Sequence, residues 1–101
     1  MARILKEDAE RLLGDVPPEK AFWCCDDRIL RNMRELGEAL ASMTDETFAY
    51  HSNAEKNDFS NWVNDVIEDA KLARDLAKAS NKTQAERKLA ERVDFLSAKL
   101  A

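Results

Sequence analysis

Tyr50 and His51 are the chain's only tyrosine and only histidine, and they stand side by side. Asn57 and Asp58 follow after a short polar run, then Phe59 and Trp62. A lone imidazole can act as a general base or as a pH sensor. General-base catalysis also needs a nucleophile or acid within reach, and Asp58 and Cys24 are the residues on offer. The plainer reading of His51 is a histidine at a helix end, hydrogen-bonded or interacting with the helix dipole. Asn57 and Asp58 could present polar groups to a ligand, but in front of an apolar stripe they also read as helix caps. Cys24-Cys25-Asp26-Asp27 invites a metal reading, which requires thiolates that converge on a soft cation. Strand neighbours point to opposite faces, so these two sulfurs do not clamp one ion. The expectation is one buried cysteine beside an incidental neighbour, with no metal and no cofactor. Phe22, Trp23, Phe48, Tyr50, Phe59 and Trp62 could line a pocket or a stacking surface, although such spacing more often builds a core. Tyr50 and Trp23 are the two expected at the surface. The candidate ligand or partner residues are therefore Tyr50, His51, Asn57, Asp58 and Trp23, none of them assigned a catalytic role.

The elements that would position them can be read from periodicity. Residues 3–16 form an amphipathic helix with Leu5, Ala9, Leu12, Leu13 and Val16 on one stripe. Pro17-Pro18 ends it, since neither residue supplies an N–H. Residues 21–31 hold two short apolar runs around Asp26-Asp27, which reads as a β-hairpin with those two residues at its turn. Two strands alone are marginal in water, so helices must cover them. Asn32 caps the next helix, with Glu35 placed for a capping box. Thr44 or Asp45 starts a short helix carrying Phe48 and ending near Tyr50-His51, and residues 52–56 form a loop.

Asn57 or Asp58 begins a helix whose stripe is Phe59, Trp62, Val63, Val66 and Ile67. Leu72 would sit about 140° from Ile67 on a continuous helix, so a break is expected at Glu68-Asp69, with Asp69 capping a new helix. Thr83 with Glu86 reads as the capping box of the last helix, whose stripe is Leu89, Val93, Leu96 and Leu100. The expected fold is mainly α, a small domain of five to six helices with a minor two-stranded hairpin. Residues 1–101 form one domain: an N-terminal helix over 1–16, a centre over 17–79 and an amphipathic helix over 83–101. The expected core is Phe22, Ile29, Met33, Leu36, Leu40, Phe48, Phe59, Trp62, Val63, Val66, Leu72 and Leu76.

Bulk properties narrow the function classes. A chain of 101 residues fits one domain with a real core. The formal charge is −4 with both signs interspersed, and no Lys/Arg block offers the clustered footprint of a phosphate-backbone binder. No apolar run is long enough to span a membrane, and Glu7-Asp8 come too early for a signal-peptide core. Adjacent cysteines close almost no loop if bridged, which points to reduced thiols and a cytoplasmic setting.

Three stretches taken together resemble a family. These are Pro17-Pro18-Glu19-Lys20-Ala21-Phe22-Trp23; Asn32, Arg34-Glu35-Leu36 and Glu38-Ala39-Leu40; and Phe48, Tyr50-His51, Lys56-Asn57-Asp58-Phe59, Trp62-Val63 and Asp65-Val66. The pattern looks like a family of small uncharacterised domains of archaea and some bacteria, which occur alone or attached to larger proteins. It covers roughly residues 17–78. Such relatives tend to show Asp-Gly where Asp26-Asp27 stands and Gly-Asp where Glu68-Asp69 stands. Both departures remove a glycine where positive φ is expected. The family carries no established activity, so the resemblance transfers no catalytic role.

With no catalytic constellation in view, the expectation is a non-catalytic protein-interaction or regulatory module. Its partner would be another protein, or a second copy bound through the terminal amphipathic helices. The alternatives are a small-ligand or enzymatic site around Tyr50, His51 and Asp58, and nucleic-acid binding.

Overall fold

The computed structural model describes residues 4–101. Helices α1 (Lys6–Leu13), α2 (Met33–Ser42), α3 (Asp45–His51), α4 (Asp58–Trp62), α5 (Ala70–Lys78) and α6 (Lys82–Ala98) accompany a hairpin of β1 (Phe22–Trp23) and β2 (Ile29–Leu30). The architecture is mainly helical with a two-stranded antiparallel hairpin, as the periodicity implies. Residue 3, where the first helix was expected to begin, lies outside the described residues. The helix itself starts at Lys6, where Asp8 Oδ2 accepts from the Leu5 N–H at 3.0 Å.

Most helix starts are set by one side chain accepting a backbone N–H that lacks a helical partner. Asn32 accepts from Glu35, Thr44 from Thr47, Asn57 from Ser60 and Asp69 from Leu72. The last helix departs from expectation: Asn81, not Thr83, caps α6 by accepting from Gln84 at 2.8 Å. Asn is at least as good a cap as Thr, and it comes first along the chain. Capping also extends one residue further out than the usual reciprocal box. Glu35 Oε1 accepts from the Arg31 N–H, and Gln84 Oε1 accepts from the Ser80 N–H, each the residue before the cap.

The hairpin turn is longer than the sequence suggests. Cys24 pairs with Arg28 through its N–H (2.9 Å), and the Asp27 N–H donates back to the Cys24 carbonyl (3.0 Å). Cys25, Asp26 and Asp27 thus form a three-residue loop, with Asp27 in the left-handed region at φ 73°. This loop sets the register Phe22↔Leu30 and Trp23↔Ile29. Because faces alternate along a strand, the register turns Phe22 and Leu30 inward and Trp23 and Ile29 outward. Ile29, expected in the core, is therefore half exposed, and Leu30 takes its place.

Phe22 enters an aromatic cluster with Phe59 (5.4 Å, stacked), Trp62 (5.7 Å, edge-on) and His51 (5.1 Å, edge-on), and Phe48 stacks on the far side of Phe59. Trp62 also donates its indole N–H to the Lys20 carbonyl at 2.8 Å, tying the turn after the proline pair to α4. Helix α4 widens into a π turn over Val63–Ile67, where the Val63 carbonyl accepts from both Glu68 and Asp69. Glu68 closes this turn at φ 68°, and Asp69 then caps α5. The chain breaks where expected, and it does so with a glutamate in the conformation that favours glycine.

Helix α6 packs along α2, α5 and α1. Its approach to α2 is close: a Cβ on Gly37 would stand 3.1 Å from Leu89 Cδ2. The stripes of both terminal helices enter the core through Ala9, Leu12, Leu13, Ala85, Leu89 and Leu96, leaving Leu5 and Phe95 as their exposed large apolar residues. Among the described residues no helix is long and apolar enough to cross a membrane.

Candidate functional site

The expected site residues divide between the surface and the interior. Trp23 and Tyr50 are 71% and 59% exposed, whereas His51 is 4% exposed. Tyr50 and Trp23 reach the surface as expected, but His51, beside Tyr50 at the end of α3, does not. The hairpin tip, 26 residues earlier, folds over the imidazole. The two residues are neighbours on one helix, about 100° apart, so one faces water while the other faces the hairpin.

His51 is the last residue of α3 and joins three segments. Its Nε2 lies 3.0 Å from the backbone nitrogen of Cys25, and its Nδ1 lies 2.9 Å from Asp58 Oδ2, on the first residue of α4. A backbone N–H can only donate, so Nε2 is the acceptor. The imidazole is thus neutral, with its proton on Nδ1 and donated to the carboxylate. Lys56 closes the outer side: its Nζ lies 3.0 Å from the same Asp58 oxygen and 4.7 Å from the centre of the Tyr50 ring. The Tyr50 ring in turn meets His51 edge-on at 5.0 Å. Burial alone would raise the Asp58 pKa, but the hydrogen bonds from His51 and Lys56 outweigh it and hold the carboxyl below its ordinary value.

The polar loop before α4 is ordered by its own side chains. Asn53 Oδ1 accepts from the Glu55 and Lys56 N–H groups, and a bridge joins Ser52 to Asn57. Asn57 caps α4 and donates its amide to the Leu76 carbonyl at 3.1 Å, while Ser60 Oγ donates to the Ala73 carbonyl at 2.7 Å. Asn57 therefore joins α4 to α5, and both ends of its amide are occupied.

An Asp–His pair is half of a common acid–base arrangement, in which the free imidazole nitrogen faces a nucleophile. Here that nitrogen faces a backbone amide. The ring sits among Phe22, Phe59 and Tyr50, so accepting a proton requires one of its two bonds to break. The neighbouring cysteines diverge: Cys24 is buried and Cys25, in the loop, is exposed. Burial pushes the Cys24 thiol pKa up, away from the reactive thiolate. Among the described residues no three His, Cys, Asp or Glu side chains gather as a metal site would need. A surface groove between β2 and α2 is lined by Arg28, Ile29, Leu30, Arg31, Glu35 and Glu38, and by none of the five expected residues.

Two participants escaped the sequence reading. Cys25 acts through its backbone, for which side-chain identity carries no signal. Lys56 stands two residues before Asp58, a spacing that could have marked it as a charge partner. A second buried junction was also missed. Asp69 receives Arg92 in a two-pronged pair, Nε to Oδ2 at 2.7 Å and Nη2 to Oδ1 at 3.0 Å, while capping α5. Set against known protein families, curated proteins and solved structures, the chain gives no match.

Proposed function

We propose that this protein is a non-catalytic protein-interaction or regulatory module that meets a protein partner through the outer face of its hairpin. The observation that carries this reading is the Trp23–Ile29 pair. Two large apolar side chains stand opposite each other on the exposed face of a two-stranded sheet, and Trp23 alone is 71% exposed. Side chains directly across an antiparallel pair lie about 5 Å apart and present one continuous surface. Tryptophan is the residue type most enriched where binding energy concentrates. Tyr50, on the neighbouring α3, offers an amphipathic ring whose Lys56 companion is also exposed. The resemblance to small domains of unknown function adds no activity to this reading.

The enzymatic alternative draws less support, because both nitrogens of His51 and both ends of the Asn57 amide are engaged within the fold. A second copy of the chain, meeting through Leu5 and Phe95 on the terminal helices, is the other partner to test.

Pull-down from a native lysate combined with light scattering tests the proposal. The wild-type chain should retain a defined protein or self-associate. Trp23→Ala should lose at least about tenfold in affinity, the order expected for an anchor residue. It should change stability by no more than about 0.5 kcal/mol, as expected for a surface position. A strict monomer that retains nothing, or a Trp23→Ala variant that binds as well as wild type, would overturn it.

A further inference from the structure

We propose that His51 is an acid-operated latch: protonating its ring releases the hairpin tip at Cys25 from α3 and α4 while the core stays folded. The inference rests on the direction of the two imidazole hydrogen bonds and stands whether or not the hairpin binds a partner.

A protonated imidazole carries two N–H donors and no acceptor. At Nδ1 nothing conflicts, since Asp58 accepts in either state and holds a charged ring better than a neutral one. At Nε2 the new proton would point at the Cys25 N–H, 3.0 Å from donor to donor. Both groups cannot stay, so one must turn to water. The ring is fixed by Phe22, Phe59 and Tyr50 and by Asp58, whereas the Cys25 N–H belongs to an exposed three-residue loop. The loop is the part that yields.

The charged and titratable groups around the ring act in opposite directions. Asp58 on α4 favours the charged form. Lys56 from the preceding loop opposes it through the same carboxylate oxygen. Tyr50 on α3 is an uncharged phenol edge-on to the ring. From the hairpin come the Cys25 thiol and, beside it, Cys24 and Asp26, the latter engaged by Arg28 at 3.0 Å. Phe22 and Phe59 are apolar and disfavour a charge that stays dry. Opening the tip admits water to a charged ring and relieves that penalty as well as the donor clash.

The design also limits the movement. Phe22 and Leu30 stay in the core, and Arg28 Nη1 is tied to Ser42 Oγ at 2.6 Å on α2. The tip between them carries Asp27 in a left-handed conformation, so the loop that opens already stores strain.

Amide hydrogen exchange by NMR on the full chain, between about pH 7.5 and about pH 5, reads the latch directly. One histidine makes the ring titration unambiguous. After correction for intrinsic exchange, Cys25 protection should fall about tenfold, the equivalent of one lost hydrogen bond, in step with the ring. Protection at Leu36 and Leu89 should not change. His51→Gln offers an acceptor that cannot gain a proton, so its Cys25 amide should show no pH response. Asp58→Asn removes the charge that favours the imidazolium, and should move the transition to lower pH even if His51→Gln does not fold. The latch is refuted by a ring that stays neutral to pH 5, by Cys25 protection that holds while the ring titrates, or by Leu36 and Leu89 losing protection in parallel.

Discussion

Asp69–Arg92, fully buried, and His51–Asp58, buried only on the histidine side, are both acid–base pairs that join separate segments, yet they differ in how completely each is closed. Arg92 meets Asp69 with two donors in the flat geometry that matches guanidinium to carboxylate, and Asp69 uses a third bond to cap α5. The guanidinium offers donors only, so neither bond depends on a nitrogen acting as acceptor. His51 meets Asp58 with a single donor, and its other nitrogen depends on being uncharged. The first junction fixes α6 against the start of α5. The second holds a loop by a bond that one proton can reverse. Burial alone does not make a polar contact permanent; the donors and acceptors available in each protonation state decide it.

Four substitutions test this contrast. Arg92→Met should have the largest effect, because it leaves the Asp69 carboxylate buried without its partner. Removing one member of a buried pair costs about 3–5 kcal/mol, measurable by urea unfolding. A loss under about 1 kcal/mol, the range of exposed pairs, would remove the distinction between the two junctions. Next comes the acid dependence of Asp58. Its pKa is depressed in the folded state, so its contribution is fully present above the unfolded carboxyl value and is lost as pH falls through the folded one. Wild type should be more stable than Asp58→Asn near neutrality, and the two should converge below about pH 4. Parallel stability curves through that range would show that the His51 and Lys56 contacts contribute nothing. The smallest effects should come from the two left-handed residues. Glu68→Gly should stabilise the chain by about 1 kcal/mol by relieving its backbone. Asp27→Gly should gain less, since Asp tolerates this region better than Glu does. The reverse order of gains would point to side-chain contacts at Asp27 that outweigh its strain.

Helix boundaries were legible because caps and stripes are local. Asn32, Thr44, Asn57 and Asp69 can each be read from the few residues that follow them. The start of α6 was misplaced for the same reason: Thr83…Glu86 was read as the capping box, whereas Asn81…Gln84, two residues earlier, has the same spacing and is the cap that forms. The hairpin failed at one point with wide consequences. A two-residue turn would have paired Cys24 with Ile29, with both facing inward. The three-residue loop slips the pairing by one residue and turns Ile29 to water. Adjacent Ile29 and Leu30 are nearly interchangeable by composition, so nothing nearby corrected the register. The positions where a glycine was missed do carry positive φ, at Asp27 and Glu68. The site was hardest to read because its decisive contact is a backbone N–H brought from 26 residues away.

The close approach at Gly37 bears on how the chain is made. Leu89 fills a place on α2 more than fifty residues upstream, and Arg34 reaches Ser97 Oγ at 3.0 Å on the same helix pair. During synthesis α2 leaves the ribosome long before α6 exists, at a pace of about 5–20 residues per second. For those seconds the hollow around Gly37 has no Leu89 to fill it, and the nascent chain exposes an apolar groove.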